Sequence, residues 1–342
     1  MTHSFKLSRR IARLRVAAFA AIAVALAGCD STEGLNPDSS TPAGVVDESF
    51  PAGSIDEGNP VEEGNPLGEA STGTQVIALD APGQASVAFA GGIPIGTYAQ
   101  PTSTFGDRYN GGLRNIWPQF LKRELENIKN RGGKVVLMMA GNERHYKGQG
   151  HFSLNKWKAR IDRFKGVDFE SYINDGTIVG HYLIDEPNDP VNWGNRPIPG
   201  STLEEMAKYS KQLWSRLATV VRVDPAYLAG GRYQHLDAAW AQYVYRKGAA
   251  DDHIRRNVAD ASRLGLGLIT GLNIIKGGPN GSRMTASQVK SWGSTLLESS
   301  YPCAFISWQY NSGYLDSGDM RDAMDALRRK AENRSPRSCR GS

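Results

Sequence analysis

Two adjacent carboxylates close the stretch Gly176-Thr-Ile-Val-Gly-His-Tyr-Leu-Ile-Asp185-Glu186-Pro187-Asn188 of this 342-residue chain. Carboxyl groups do general acid or base work when their surroundings push their proton affinities apart. The run before them opens with β-branched Thr177, Ile178 and Val179 and holds no lysine or arginine, which suits a strand buried on both faces. Pro187 and Asn188 then remove backbone pairing and force a turn. In parallel α/β folds the functional groups gather where strands end, at the carboxyl edge. The plainer alternative is a turn in which Asp185 caps the next segment and Glu186 is solvated.

Other candidate strand ends carry compatible chemistry. Segment 95–99 delivers Tyr98 and Gln100, with Arg108 in the following loop, and 135–140 delivers Asn142, Glu143, Arg144 and His145. Tyr182 lies within 177–184, Asp224 follows 218–223, Gln242 and Tyr243 lie in 239–244, and Asn273 follows 266–272. The last segment, 304–310, carries Trp308, Gln309 and Tyr310. Carboxylates, amides and aromatic rings together suit a sugar: ring faces stack on pyranose C–H surfaces, and planar polar groups pair with hydroxyls. Each residue also has an ordinary structural use. Tyrosine and tryptophan commonly pack the rims of cores, Asp224 before Pro225 is a turn-former, and His145 beside Arg144 suits a surface. No histidine pair has metal spacing, so neither a metal nor a cofactor is expected.

The elements that must position these residues alternate. Seven strands are predicted, at 95–99, 135–140, 177–184, 218–223, 239–244, 266–272 and 304–310. Helices are predicted at 117–131, 154–164, 203–217, 252–264, 286–299 and 318–333. Ser201-Thr-Leu-Glu204 and Thr285-Ala-Ser-Gln288 read as capping boxes, and Gly132, Gly133 and Gly265 mark helix ends before strands. Repeated strand–helix units with right-handed crossovers close into a (β/α)8 barrel, a TIM-type barrel of the α/β class, spanning 76–342. The eighth strand is sought in 85–90 or near 167–169. A doubly wound open sheet is the alternative, but the segment after the first strand, Tyr98-Ala-Gln-Pro-Thr-Ser-Thr, is no glycine-rich phosphate loop.

Residues 1–28 read as an export leader: Lys6, Arg9, Arg10, Arg13 and Arg15 precede an apolar run from 16 to 27. The leader holds five of the 40 basic residues and none of the 35 acids, so the remainder carries 35 of each. That balance gives no reason to expect a nucleic acid partner. Residues 30 to about 75 contain ten Asp or Glu, no Lys or Arg, and the repeat Glu57-Gly-Asn-Pro60 and Glu63-Gly-Asn-Pro66. Such a segment buries too little apolar surface to offset chain entropy and is expected to act as an extended tether, so 29–75 is set apart from the barrel. Cys303 precedes the final strand and Cys339 follows the final helix. A strand–helix unit returns the chain to the end where its strand began, so a disulfide between them is expected in an oxidising compartment.

Two resemblances add to this reading. Leu26-Ala27-Gly28-Cys29 resembles the lipobox of bacterial lipoproteins, which implies lipidation of Cys29, anchoring to a membrane and a place in the cell envelope. Asp30 resembles the inner-membrane retention signal of enteric bacteria, implying the periplasmic face of that membrane, with the outer membrane as the alternative. Gly180-His-Tyr-Leu-Ile-Asp-Glu-Pro187 looks like the Asp-Glu-Pro signature of glycoside-hydrolase-like (β/α)8 barrels, and Ile306-Ser-Trp-Gln-Tyr310 fits barrels that place a tryptophan beneath the sugar. That likeness covers most of residues 90–333 and implies a carbohydrate ligand with Glu186 as general acid. The large retaining clan of this fold has a second Glu on a late strand, where this chain offers Asn273 and Gln309. Glu143 or Asp224 would then supply the second carboxylate. Alternatively, the pair resembles that of substrate-assisted hexosaminidases, in which Asp orients an N-acetyl group. Strand parity sets Glu186 with Tyr182 and Ile184, and Asp185 with His181 and Leu183, so a regular strand points only one of the two acids into the barrel, and the hexosaminidase-like version needs a bulge or turn at the strand end. Two further readings stay open: a non-catalytic carbohydrate-binding barrel, and an envelope lipoprotein whose barrel is only a scaffold. The oligomeric state is not readable from the sequence.

Overall fold

The computed structural model describes residues 91–341. The leader, Cys29, the tether and the candidate strand at 85–90 lie outside the described residues. Eight parallel strands form one sheet: β1 (Ile95–Thr97), β2 (Gly111–Asn115), β3 (Lys134–Met138), β4 (Ile178–Asp185), β5 (Thr219–Arg222), β6 (Ala238–Tyr243), β7 (Gly267–Leu272) and β8 (Ala304–Ser307). Their order around the sheet is β1-β8-β7-β6-β5-β4-β3-β2. A parallel bridge between Tyr98 and Leu113 joins the two ends. The protein is a (β/α)8, TIM-type barrel.

The eighth strand is β2, not 167–169, which lacks regular structure and leads into the short helix Glu170–Asn174. The sequence Gly-Gly-Leu-Arg-Asn hides it, because glycine and asparagine are poor strand formers. The glycines serve the seam. A Cβ on Gly96 would stand 1.8 Å from the Gly111 carbonyl oxygen, so β1 and β2 approach more closely than side chains permit.

Inside the barrel, Leu113, Val136, Met138, Tyr182, Val220, Trp240, Ile269 and Ile306 pack as one cluster with Tyr98. Helices cover the outside. On one side α1 (Leu121–Asn130), α2 (Leu154–Asp162) and α4 (Gly200–Leu213) bury Leu125, Ile128, Trp157, Leu203 and Met206 against the strands; α3 is the short helix at 170–174. On the other side α5 (Ala250–Arg263) and α6 (Ala286–Leu296) do so with Ile254, Val289 and Leu296. A short turn of helix, α7 (Ser312–Leu315), precedes α8 (Gly318–Glu332), which adds Leu327 to that second cluster.

Helix boundaries follow local chemistry with one exception. Thr285 and Gln288 form the expected capping box, and Gly132 and Gly265 end helices at positive φ. The Ser201–Glu204 box does not form. α4 starts at Gly200 after Pro199, and Glu204 instead accepts the backbone N–H groups of Gln234, His235 and Leu236. That loop has a stronger claim on a carboxylate, because it offers three donors where the helix start offers one.

Cys303 and Cys339 are joined, with Cα atoms 5.1 Å apart. Cys303 sits just before β8 and both cysteines belong to the interior cluster. The Cys339 carbonyl lies against Gly267 at the start of β7, so the C-terminal tail lines the amino end of the barrel, opposite the candidate site.

Candidate functional site at the carboxyl mouth

The site is built on an irregularity in β4. Its pairing to β5 slips by one residue, matching Tyr182 with Val220 but Ile184 with Val221. The surplus residue is Leu183, whose carbonyl accepts a hydrogen bond from Trp157 Nε1 at 2.9 Å. Before the slip, Tyr182 faces the interior while His181 turns outward to Ser210 on α4. After it, Leu183 and Ile184 both pack on the outer cluster and Asp185 turns back inward. Glu186 follows with φ of 33°, in the left-handed region. Its backbone there is fixed at both ends, since its N–H donates to the Arg222 carbonyl at 3.1 Å and its carbonyl accepts from Trp193 Nε1 at 2.9 Å. The slip and the turn together bring both acids to one side chain.

That side chain is Arg222, at the end of β5. Its guanidinium donates to Asp185 Oδ1 at 2.5 Å, to Glu186 Oε1 at 3.0 Å and to Gln242 Oε1 at 2.9 Å. It also lies 5.0 Å from the Trp308 ring centre and 5.6 Å from that of Trp240. Tyr182 Oη donates to the same Asp185 oxygen at 2.8 Å. Tyr98 stacks on Trp308 with ring centres 4.4 Å apart and planes 18° apart, and the peptide bond after Trp308 is cis. Asp185 and Arg222 are nearly sealed, with side chains 2% and 4% exposed, whereas Glu186 keeps 12%.

Glu143 stands in the short turn Glu143–His145 after β3, which Asn142 caps by accepting the Arg144 N–H. Its side chain is 13% exposed and meets Lys147 Nζ at 3.2 Å. Burial and the negative charge of Asp185 push its carboxyl group up to about 7, against the pull of Lys147 and Asn192. Lys147 also bonds Asn192 Oδ1 at 2.5 Å and covers the Trp193 ring at 4.8 Å, tying the loop after β3 to the loop after β4. Burial and Asp185 likewise raise the Tyr98 and Tyr182 hydroxyls far above the usual phenol range, so both remain protonated donors.

The structure therefore brings together Asp185, Glu186, Tyr98, Tyr182 and Trp308, and the charges of Glu143 and Asp185 act on each other. Other predicted residues lie apart from this cluster or support it. Asp224 pairs with Lys247 at 3.0 Å beside His253. Arg108 pairs with Asp316 near Tyr310, whose N–H donates to the Tyr98 carbonyl at 2.9 Å. Asn273, buried, accepts the Lys276 N–H at its side-chain oxygen at 2.9 Å, and Gln309 follows Trp308. Sequence reasoning missed Arg222, Lys147 and Trp240. Arg222 had a readable signal: a lone base in the apolar run Thr219-Val-Val-Arg222 requires an acid opposite it once that strand is buried. Among the described residues, no group of three His, Cys, Asp or Glu side chains is placed to hold a metal ion.

The fold and site define a parallel (β/α)8 barrel with a carboxylate–guanidinium cluster and an aromatic floor at its carboxyl mouth. No protein-family model matches the chain, and no curated protein matches it. Solved structures that resemble it include endoglucanase Cel5A from Pseudomonas stutzeri, at 11% identity over 73% of this chain and 97% of that one, with a TM-score of 0.48. An endocellulase from Pyrococcus horikoshii in complex with cellotetraose matches at 12% identity, over 71% and 92% of the two chains, with a TM-score of 0.46. A GH18 chitinase from Pseudoalteromonas aurantia matches at 13% identity, over 69% and 99%, with a TM-score of 0.44. These likenesses are of fold.

Proposed function

We propose that the barrel mouth binds a carbohydrate and hydrolyses a glycosidic bond, with Glu143 and Glu186 as the two working carboxyl groups. One observation carries this reading: two acids with residual solvent access occupy opposed environments at one mouth. Glu143 holds its proton up to about pH 7, while Glu186 is ion-paired with Arg222. A pair divided in this way supplies a proton donor and an anionic partner. The sequence alone gives the acid's role to Glu186; the environments favour Glu143 as donor to the leaving oxygen. Glu186 then faces the positive charge that develops on the sugar, either bonding to its anomeric carbon or deprotonating the attacking water. Asp185, nearly sealed and held by Tyr182 and Arg222, orients the guanidinium rather than an acyl group of the substrate.

The test uses 4-nitrophenyl and 2,4-dinitrophenyl glycosides together with soluble polysaccharides. Glu143→Gln is expected to lose about 10²–10⁴-fold in kcat/KM on polysaccharide but to keep most activity on the dinitrophenyl substrate, whose leaving group needs no proton. Glu186→Gln is expected to lose activity on both. The reverse pattern restores Glu186 as the acid, and unchanged turnover in both variants refutes hydrolysis at this mouth. A binding-only barrel is the second reading, favoured by the amides Asn273 and Gln309 on the late strands. Binding of a glycan without turnover by the unaltered protein would select it.

The leader and Cys29 support a lipid-anchored form in the cell envelope. Incorporation of an alkynyl fatty acid that is lost in Cys29→Ser checks the anchor. Membrane fractionation of Asp30→Ser checks the preference for the inner membrane.

A further inference from the structure

A cavity of about 770 Å³ opens beside the carboxyl end of β6 and is lined by residues of the following turn, the start of α5 and the face of α6. Its centre is an aromatic platform. Tyr245 is 51% exposed, one of two large hydrophobic side chains so exposed among the described residues. It stacks on Trp292 at 5.8 Å with planes 29° apart, and Tyr243 meets the Trp292 ring edge-on at 5.5 Å. The backbone holds this arrangement in place: the Tyr245 N–H donates to the Gly277 carbonyl at 2.7 Å, and Tyr243 Oη donates to the Gly248 carbonyl at 2.8 Å. The Tyr245 ring is therefore held on a fixed turn at the cavity wall with part of its surface open to solvent. Thr295 and Glu298 line the same cavity with hydroxyl and carboxylate groups.

We propose that this groove is a second glycan-binding site, separate from the mouth, that takes a short neutral segment of a polysaccharide by stacking on Tyr245. The ligand class rests on the carbohydrate reading of the mouth. Three features support it. Ring faces flanked by hydrogen-bonding groups fit a pyranose, which presents C–H bonds on its face and hydroxyls at its edge. The lining carries Arg246 beside the acids Asp251 and Glu298, so it has no excess of positive charge to select an anionic ligand. Tyr243 is the last residue of β6, so the groove opens at the same barrel end as Glu186.

Affinity gel electrophoresis of the whole protein through barley β-glucan, hydroxyethylcellulose and glycol chitin tests the proposal, using Tyr245→Ala, Tyr245→Phe and Trp308→Ala. On a gel that retards the unaltered protein, Tyr245→Ala is expected to weaken retention about tenfold, the scale of one lost aromatic face. Tyr245→Phe, which keeps the ring, is expected to retain binding, and Trp308→Ala is expected to leave the Tyr245-dependent part in place. Retention unaffected by Tyr245→Ala overturns the proposal, as does the absence of retardation on all three gels. Tyr245-dependent retardation in a protein that turns over no glycoside would keep this site and reject only hydrolysis at the mouth.

Discussion

Arg222 changes what Asp185 and Glu186 are. Without it the two acids are adjacent like charges at a strand end, and neither would ionise easily beside the other. With it they form a charge-assisted network anchored by Tyr182 and Gln242. Glu143 is left as the acid pushed up to about 7. In the proposed role of donor it must carry its proton, so kcat/KM is then expected to hold below about pH 7 and to fall as pH rises through that value. Lys147 opposes the rise, so Lys147→Met should move this alkaline limb to higher pH. A ¹³C NMR titration of Glu143 reads the same shift without any need for turnover; a limb and a titration that both stay in place would refute Lys147 as its tuner. At this scale the sequence exposed the acids and aromatics, because their types and strand-end positions are local facts. It did not expose the roles, because the burial and the Asp185 charge that raise Glu143 come from parts of the chain distant in sequence.

At the scale of elements, the helical and strand periodicities located seven strands and most helices. The eighth strand escaped because its leading residues, Gly111 and Gly112, are selected by the closeness of neighbouring chains at the seam rather than by strand propensity. A bulge or turn at the end of β4 was one alternative from the sequence, but its position at Leu183 was not readable, since register is a property of two strands. It is the strand-end irregularity that parity requires before both acids can face the interior. The disulfide was legible, because a strand–helix unit returns the chain to the end where it started. It joins Cys303 and Cys339 across a sequence separation of 36, and on chain-entropy grounds its removal in Cys303→Ser/Cys339→Ser is expected to cost about 3–4 kcal/mol in denaturant unfolding. It lies at the amino end of the barrel, so kcat should change little in the folded variant. A large loss of kcat with unchanged stability would contradict that placement.

For the molecule as a whole, buried histidines couple stability to pH. Burial lowers His181 to about 3 and His253 to about 4, from an ordinary value of 6.5. A base whose folded value is depressed stays neutral in the native state while the unfolded chain takes up the proton. Stability is therefore lost as pH falls below 6.5, down to each folded value, at about 1.4 kcal/mol per unit for each group. Glu143 acts in the other direction: its folded value lies above the ordinary 4.5, so it penalises the fold as pH rises from there to about 7. The three together leave a net loss on acidification from 6.5 that steepens below 4.5. Urea unfolding at pH 7, 5.5 and 4 is expected to show this slope, reduced in His181→Gln; an identical slope in that variant would exclude His181 as a contributor.

Composition, periodicity and turn residues by themselves determined the α/β class, the barrel, the strand carrying Asp185 and Glu186, and the cysteine pairing, because each depends on chain segments close in sequence or on rules of connection. Tertiary structure alone decided the closing strand, the register that turns both acids inward, and the guanidinium that binds them. The closing strand is set by the close approach of β1 and β2 at the seam, and the register and the guanidinium by the pairing of β4 with β5; each joins residues distant in sequence.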